Sequence, residues 1–274
     1  MKYIGLIKNS TSHSLSPILF KSVFKDLKLD YRHAVLNVRE LDLNSTLNFL
    51  KNDFFLGANV TIPHKENILK FLDWISEEAK IIGAVNTIVN KEGKLFGYNT
   101  DVFGIQSSLE KYSDEIKNKS VLILGAGGAA RAVVYTLIKY FDVAEVKIYN
   151  RTIDRTQKLI NDFQNLTNKI SVASELKNNS EKLIINTTSI GMVPKINEMP
   201  IPSEFSFLEN QIVFDVIYNP IETEFLKKAR LANAVTINGL VMFITQAEKS
   251  FEIWTGKKIK KDVILNDLIK VLKK

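Results

Sequence analysis

An apolar run, Val121-Leu122-Ile123-Leu124, stops at Gly125-Ala126-Gly127-Gly128-Ala129-Ala130-Arg131, and apolar residues resume with helical spacing at Val133, Val134, Leu137 and Ile138. That pattern leaves little choice of local fold: a buried strand, a tight turn, and a helix that packs back along the strand. Gly125 permits the turn, Gly127 lets backbone approach a pyrophosphate, and the small Ala130 lets helix and strand lie close together. The first helical turn then offers unpaired N–H groups and the positive end of its dipole to an anion. The segment predicts a Rossmann unit with a dinucleotide site.

The next strand bears on which dinucleotide. A unit that binds NAD presents Asp or Glu to the ribose 2′-hydroxyl about twenty residues after the glycines. Here the strand Val146–Tyr149 runs into Asn150-Arg151-Thr152, with Arg155 one helical turn later. No carboxylate stands at the strand tip to repel a 2′-phosphate, and guanidinium groups match a phosphate in geometry and charge. The expectation is NADP. Thr152 also reads as the N-cap of the following helix, a role compatible with the first.

A length of 274 residues accommodates two domains of ordinary size, and 45% hydrophobic with 24% charged residues is the balance of a globular protein. No apolar stretch approaches the roughly 20 residues of a membrane helix, and Met1–Lys8 reads as a first strand rather than a signal peptide. The absence of cysteine removes disulfides and thiolate chemistry, and the three scattered histidines, His13, His33 and His64, do not form a metal-binding pattern. A cytoplasmic, metal-free protein is expected. The formal charge of +7 raises nucleic-acid binding. The lysines are dispersed, however, and even Lys257-Lys258-Ile259-Lys260-Lys261 falls short of a basic arm, so no nucleic-acid partner is expected.

Strand and helix signals alternate throughout, which predicts α/β layers. The first part reads as strand 2–7, helix 17–28, strand 31–37, helix 39–51, strand 55–61, helices within 64–82, and a hairpin of 86–90 and 95–98. A helix over 102–113 links it to strands near 120–124, 145–149, 169–172, 182–186, 211–216 and 234–237. Beyond Asn238-Gly239 the pattern is helical, with Leu240, Phe243, Ala247, Phe251 and Trp254 on one face. The fold class expected is two α/β domains: residues 1–101 plus 239–274 form a substrate domain, and residues 102–238 an inserted, doubly wound Rossmann-type domain.

Polar clusters interrupt the first part at element ends. Ser14-Leu15-Ser16-Pro17 reads as a helix start with Ser16 as N-cap and Pro17 at the first position. Asn59-Val60-Thr61-Ile62-Pro63-His64-Lys65, Gly83-Ala84-Val85-Asn86-Thr87 and Gly97-Tyr98-Asn99-Thr100-Asp101 follow. Each alone is an ordinary cap or turn; together they suggest a pocket that hydrogen-bonds several hydroxyls. In this order, ahead of the glycine turn, they resemble the shikimate dehydrogenase family. The resemblance continues through Asn150-Arg151-Thr152, Asn186–Met192, Asp215–Pro220, Gln246-Ala247 and Trp254-Thr255-Gly256, nearly the whole chain.

The resemblance implies reversible, NADPH-dependent reduction of 3-dehydroshikimate to shikimate in aromatic amino acid biosynthesis, with Lys65 and Asp101 as the catalytic pair. On the residues alone, Lys65 as a surface lysine and Asp101 as a helix cap stand as plain alternatives. The resemblance further implies that Ser14, Ser16 and Tyr218 hold the substrate carboxylate. Asn59, Thr61, Asn86 and Gln246 would surround the ring hydroxyls. Gly125, Ala126, Gly127, Gly128 and Ala129 would cradle the pyrophosphate, and Asn150, Arg151, Thr152 and Arg155 the 2′-phosphate. Thr187, Thr188, Ser189, Val216, Gly239 and Glu77 would complete the cofactor site. The chain departs from the family at Lys8-Asn9-Ser10, at Phe20-Lys21, and at Val216, where Met is common; these departures touch substrate preference. The competing readings are a quinate/shikimate dehydrogenase-like paralogue that uses NAD, and a sensor that binds NADPH without turnover. A monomer or a homodimer fits either.

Overall fold

The computed structural model describes residues 1–10, 14–176 and 180–272. The chain runs β1 (Lys2–Lys8), α1 (Ser16–Asp26), β2 (Tyr31–Asn37), α2 (Leu43–Leu50), β3 (Phe55–Val60), β4 (Trp74–Ile75), α3 (Glu77–Ile82), β5 (Thr87–Lys91) and β6 (Lys94–Tyr98). It continues with α4 (Asp101–Leu109), α5 (Ser113–Ile116), β7 (Ser120–Leu124), α6 (Gly128–Tyr140), β8 (Glu145–Tyr149), α7 (Ile153–Phe163), β9 (Ile170–Val172), β10 (Leu183–Asn186) and β11 (Ile212–Asp215). Then come α8 (Glu224–Leu231), β12 (Val235–Ile237), α9 (Leu240–Thr255) and α10 (Lys261–Leu272). The chain divides into two compact units, Met1–Asp101 with Ile244–Lys274, and Val102–Phe243. One division falls at the start of α4 and the other inside α9, so residues 239–243 lie on the second unit.

The first unit is a mixed sheet in the order β2-β1-β3-β5-β6-β4. β1 pairs in parallel with β2 and β3, and β3, β5 and β6 are antiparallel neighbours. Leu43, Leu47 and Leu50 of α2 share one core cluster with Ile7, Phe55, Ala58, Val60 and Ile88 of the sheet. Elsewhere Phe20 and Phe24 of α1 pack on Phe251 of α9, and Phe20 also meets Trp254. The hairpin turns at Glu92-Gly93 with φ of 53° and 78°, the double left-handed geometry that matches strand twist and favours glycine. Three expectations change here. Residues 64–82 are not mainly helical: a 3₁₀ turn at Leu69–Phe71 and the short β4 precede α3. β4 forms because β6 offers an open edge, with Asp73 and Ser76 N–H groups donating to the Leu95 and Gly97 carbonyls. Ser16 is the first residue of α1, not its cap; Leu15 occupies the cap without a side-chain bond. The linking helix ends at Leu109, and a 3₁₀ turn over Glu110–Tyr112 separates it from α5.

The second unit is a six-stranded sheet, β12-β11-β10-β7-β8-β9, with every pairing parallel. Counted from β7 that is the doubly wound order of a Rossmann fold, with the order reversing between β7 and β10. Leu122, Leu124, Ile184 and Val213 share a core cluster with Phe225, Leu226 and Ala229 of α8.

Candidate active site

Two groups of polar side chains stand at strand ends, one on each unit. On the first unit, the segment after β3 presents Lys65 and the end of the hairpin presents Asp101. The Lys65 ammonium lies 2.5 Å from Asp101 Oδ2, with the lysine side chain 15% exposed and the aspartate 5%. The other carboxylate oxygen, Oδ1, accepts the Asn86 amide at 2.8 Å. Asn99 Oδ1 accepts the Asp101 N–H at 3.1 Å while its own amide donates to the Ala84 carbonyl, so the first turn of α4 is tied down locally. Asp101 does begin a helix, and its carboxylate is nonetheless turned to Lys65 and Asn86.

Asn86 is buried and so are its partners. Its Oδ1 accepts the Thr100 N–H at 2.7 Å, and its Nδ2 also reaches Thr100 Oγ1 at 2.9 Å and Gln246 Oε1 at 3.4 Å. Asn59 donates through Nδ2 to the Asn86 carbonyl, Thr87 Oγ1 and Ser250 Oγ at 3.2–3.3 Å. Asn59 Oδ1 is buried with no partner. Buried amides normally satisfy both ends, so this orphaned acceptor marks a place for a ligand donor. Ser14 Oγ accepts the Ser16 N–H at 3.2 Å and donates to Ser16 Oγ at 2.9 Å, which leaves the Ser16 proton to point elsewhere. Thr61, half-buried, donates its N–H to the Ile7 carbonyl at 3.0 Å. The first unit therefore gathers Asn59, Lys65, Asn86, Asp101 and Gln246 in one hydrogen-bonded network. Tyr218 lies on the second unit, stacked on Phe243 with ring centroids 4.1 Å apart.

On the second unit, Gly125 sits at φ 108°, and a Cβ there would meet Thr187 Oγ1 at 2.6 Å. Thr187 is held in that place by its hydroxyl, which donates to the Leu124 carbonyl at 2.7 Å. Thr187, which the sequence reading placed in the cofactor site, thus shapes the glycine turn with its hydroxyl. A Cβ at Gly127 would meet nothing within 4 Å. Gly127 also caps α6 without a side-chain bond, so open space adjoins the free N–H groups that a pyrophosphate requires. The Gly125 N–H donates to the Tyr149 carbonyl at 2.8 Å, which brings the tip of β8 beside the glycine turn.

From that tip, Arg151, Thr152 and Arg155 are exposed, and neither guanidinium forms an ion pair among the described residues. Thr152 occupies the cap of α7 but makes no side-chain cap bond; Asn150 instead donates to the Thr152 carbonyl at 2.8 Å. These residues fit NADP: an open glycine turn, a helix terminus without a side-chain cap, and exposed cations without a carboxylate partner among the described residues.

The loops after β10 and β11 are joined by a buried carboxylate. Asp215 accepts from Asn186 Nδ2 at 3.0 Å, the Ile217 N–H at 3.0 Å and the Thr223 hydroxyl at 2.7 Å. Burial pushes its carboxyl up to about 7, and those three donors pull the other way. Asn186 Oδ1 in turn accepts the Thr188 N–H and hydroxyl, while Ser189 is exposed. Gly239 runs against Val216: a Cβ there would meet the Val216 carbonyl oxygen at 2.0 Å.

Glu77 is in the first turn of α3 on the first unit, exposed, and paired to Lys80 at 2.7 Å. It stands apart in the chain from the other cofactor candidates, all of which are on the second unit. Sequence reasoning passed over Ser250, which the structure puts among Asn59, Thr87 and Thr100. The available signal was its spacing of four from Gln246, which places both on one helix face. No group of His, Cys, Asp or Glu among the described residues could hold a metal ion, and His13 lies outside those residues.

Comparison with known proteins gives consistent matches. The family model "Shikimate dehydrogenase substrate binding domain" matches residues 6–88, "Shikimate / quinate 5-dehydrogenase" matches residues 107–237, and "Shikimate 5'-dehydrogenase C-terminal domain" matches residues 239–268. The shikimate dehydrogenase (NADP(+)) of Methanococcus aeolicus is 40% identical over 275 residues, covering 99% of this chain and 98% of that protein. A crystal structure of a shikimate dehydrogenase in complex with NADP+ superimposes with a TM-score of 0.89 at 40% identity, covering 100% of this chain and 96% of that one. The Thermus thermophilus enzyme, solved in complex with NADP(H) and shikimate, gives a TM-score of 0.86 at 31% identity, covering 99% and 100%.

Proposed function

Because this chain belongs to the shikimate dehydrogenase family, we propose that it reduces 3-dehydroshikimate reversibly to shikimate with NADPH, through Lys65 and Asp101. The observation that carries the assignment of these two residues is their ion pair, nearly buried and surrounded by amides and hydroxyls on one unit. A lysine kept for solubility does not sit in such a place.

NADPH supplies the hydride that reduces the ring carbonyl. The protein must then meet the charge that develops on the carbonyl oxygen. The Lys65 ammonium has three donors, of which Asp101 Oδ2 takes one. The others can stabilise the oxygen and deliver its proton. Asp101 keeps the ammonium in position, and the Asn86 amide keeps Asp101 in position. In the oxidative direction the same pair receives the proton.

The remaining roles are proposed from the family resemblance together with the chemistry of each group. Ser16, whose proton is not used by Ser14, donates to the substrate carboxylate, with Ser14 and Tyr218 assisting. Asn59, Thr61, Asn86 and Gln246 serve the ring hydroxyls, Asn59 through its unpartnered Oδ1. Gly125–Ala129 hold the pyrophosphate, and Asn150, Arg151, Thr152 and Arg155 the 2′-phosphate. Thr187, Thr188, Ser189, Val216 and Gly239 shape the remainder of the cofactor site; Glu77 is proposed there on resemblance alone. A cytoplasmic monomer or homodimer is the proposed working form; no helix among the described residues is long and apolar enough to cross a membrane.

The test is NADPH absorbance with purified protein and 3-dehydroshikimate, repeated with NADH and with 3-dehydroquinate. Oxidation of NADPH by 3-dehydroshikimate alone is expected. Preference for 3-dehydroquinate with NADH would identify a quinate-type enzyme. NADPH binding without any turnover would identify a sensor.

A further inference from the structure

Three buried hydroxyls, those of Thr87, Thr100 and Ser250, meet behind the catalytic pair. Ser250 and both threonines are fully buried. Ser250 Oγ donates to the Gln246 carbonyl, one turn back along α9, at 2.9 Å. That bond consumes its only proton, so toward every other neighbour Ser250 is an acceptor. Those neighbours are Thr87 Oγ1 at 2.7 Å, Thr100 Oγ1 at 3.0 Å and Asn59 Nδ2 at 3.2 Å. Thr87 Oγ1 has two acceptors in reach, Ser250 Oγ at 2.7 Å and Asn86 Oδ1 at 3.0 Å, and the shorter contact makes Thr87 a donor to Ser250. The Thr100 hydroxyl is then free to donate to Asn86 Oδ1, 3.1 Å away.

The direction of these bonds decides what two substrate-side amides present. A backbone carbonyl can only accept, so the Asn59 atom facing the Asn86 carbonyl is Nδ2, and Ser250 Oγ and Thr87 Oγ1 share the second hydrogen of that amide. Oδ1 is left as the buried acceptor without a partner. The Asn86 amide has Oδ1 on the Thr100 donors, with the Thr87 hydroxyl also 3.0 Å from it, and Nδ2 on the Asp101 carboxylate.

We propose that Ser250, acting with Thr87, is a positioning residue for this site: a shared buried acceptor that fixes the Asn59 amide directly and the Asn86–Asp101 contact through the threonines. The inference rests on the substrate reading given above. It adds a fully buried residue whose hydrogen bonds are to Asn59, Thr87, Thr100 and the Gln246 carbonyl, and it accounts for a serine in a buried turn of a helix. Without the Ser250 oxygen, an amide hydrogen and a hydroxyl compete for fewer acceptors in a space closed to water.

The experiment uses Ser250→Ala, Thr87→Val and Thr87→Ser in the full chain. Ser250→Ala and Thr87→Val are expected to lower kcat/KM for 3-dehydroshikimate by about ten- to a hundredfold, with the KM for NADPH unchanged. Thr87→Ser, which keeps the hydroxyl, should restore most of the loss. In the unliganded protein, side-chain amide NMR signals of Asn59 and Asn86 should shift or broaden in Ser250→Ala while signals from the second unit stay in place. The amide readout decides the inference even if the wild-type enzyme fails to turn over 3-dehydroshikimate, a failure that would instead refute the substrate reading. Wild-type kinetics together with unmoved amide signals in folded Ser250→Ala and Thr87→Val would overturn the proposal. So would an equal loss in Thr87→Ser and Thr87→Val.

Discussion

Replacing Lys65 with methionine separates what the ion pair does for the reaction from what it does for the fold. The substitution keeps the unbranched stem of the side chain to Cε and removes the ammonium. Asp101, only 5% exposed, then keeps the Asn86 donor on Oδ1 and nothing on Oδ2. Removing one partner of a buried pair costs roughly 3–5 kcal/mol, because the remaining charge stays desolvated. Lys65 is 15% exposed, so water can reach part of the vacated space; about 3 kcal/mol is the expected loss. Lys65→Met/Asp101→Asn removes that charge and should lie within about 1 kcal/mol of wild type. Turnover should not follow stability. Loss of the proton donor should lower kcat by about 10²–10⁴-fold in both variants, with NADPH affinity retained. Both tryptophans, Trp74 and Trp254, belong to the first unit, so urea unfolding followed by tryptophan fluorescence reports on that unit. A single variant as stable as the double would show that Asp101 does not carry a desolvated charge. A Lys65→Met enzyme with turnover within about tenfold of wild type would remove Lys65 from the proton transfer.

Three more outcomes follow from other parts of the molecule. Arg151→Ala should raise the KM for NADPH by about 10–100-fold, the worth of a charged hydrogen bond, and alter that for NADH far less; equal changes would detach Arg151 from the 2′-phosphate. His33 stacks on Phe20 with neither ring nitrogen partnered, and burial holds its imidazole down at about 4 against an ordinary 6.5. Its folded-state value is depressed, so its contribution to stability is present above pH 6.5 and is lost as pH falls from 6.5 toward 4. Stability curves of wild type and His33→Phe should therefore diverge by about 2 kcal/mol between pH 8 and pH 5, and parallel curves would mean that the imidazole is not desolvated. Gly239→Ala brings a Cβ within 2.0 Å of the Val216 carbonyl. A melting curve should show a loss of about 1–3 kcal/mol with a raised KM for NADPH, whereas a neutral effect would mean that this segment yields freely.

The elements most readable in the chain were those that need only local chemistry. The β7 turn and α6 follow from an apolar run, two glycines and a helical repeat. The β5–β6 hairpin follows from Glu92-Gly93 between alternating residues, since a two-residue turn with positive φ has few solutions. The lack of a carboxylate after β8 was visible for the same reason: it concerns one strand tip and its immediate neighbours. Polar residues at strand ends could be picked out as candidates, because a cluster of Ser, Thr and Asn in a turn is a property of composition and spacing.

Other features were settled only when distant segments met. β4 has two residues and exists because β6 leaves an edge unpaired, a fact no window of sequence around Trp74 contains. Ser16 falls inside the helix because the Leu15 carbonyl accepts the Ile18 and Leu19 N–H groups, while Ser14 takes the Ser16 N–H and donates to its hydroxyl. Thr187 gave its hydroxyl to the Leu124 carbonyl, since the glycine turn left that oxygen within reach. Lys65 and Asp101 were ordinary residues until the β3–β5–β6 pairing brought them together, and Ser250 became visible only where α9 closes over the same strands. Sequence by itself determined most of the strands, which turns need glycine, and which charges are missing. Tertiary structure decided which donor meets which acceptor, because buried hydrogen bonds depend on directions and distances between segments far apart in the chain.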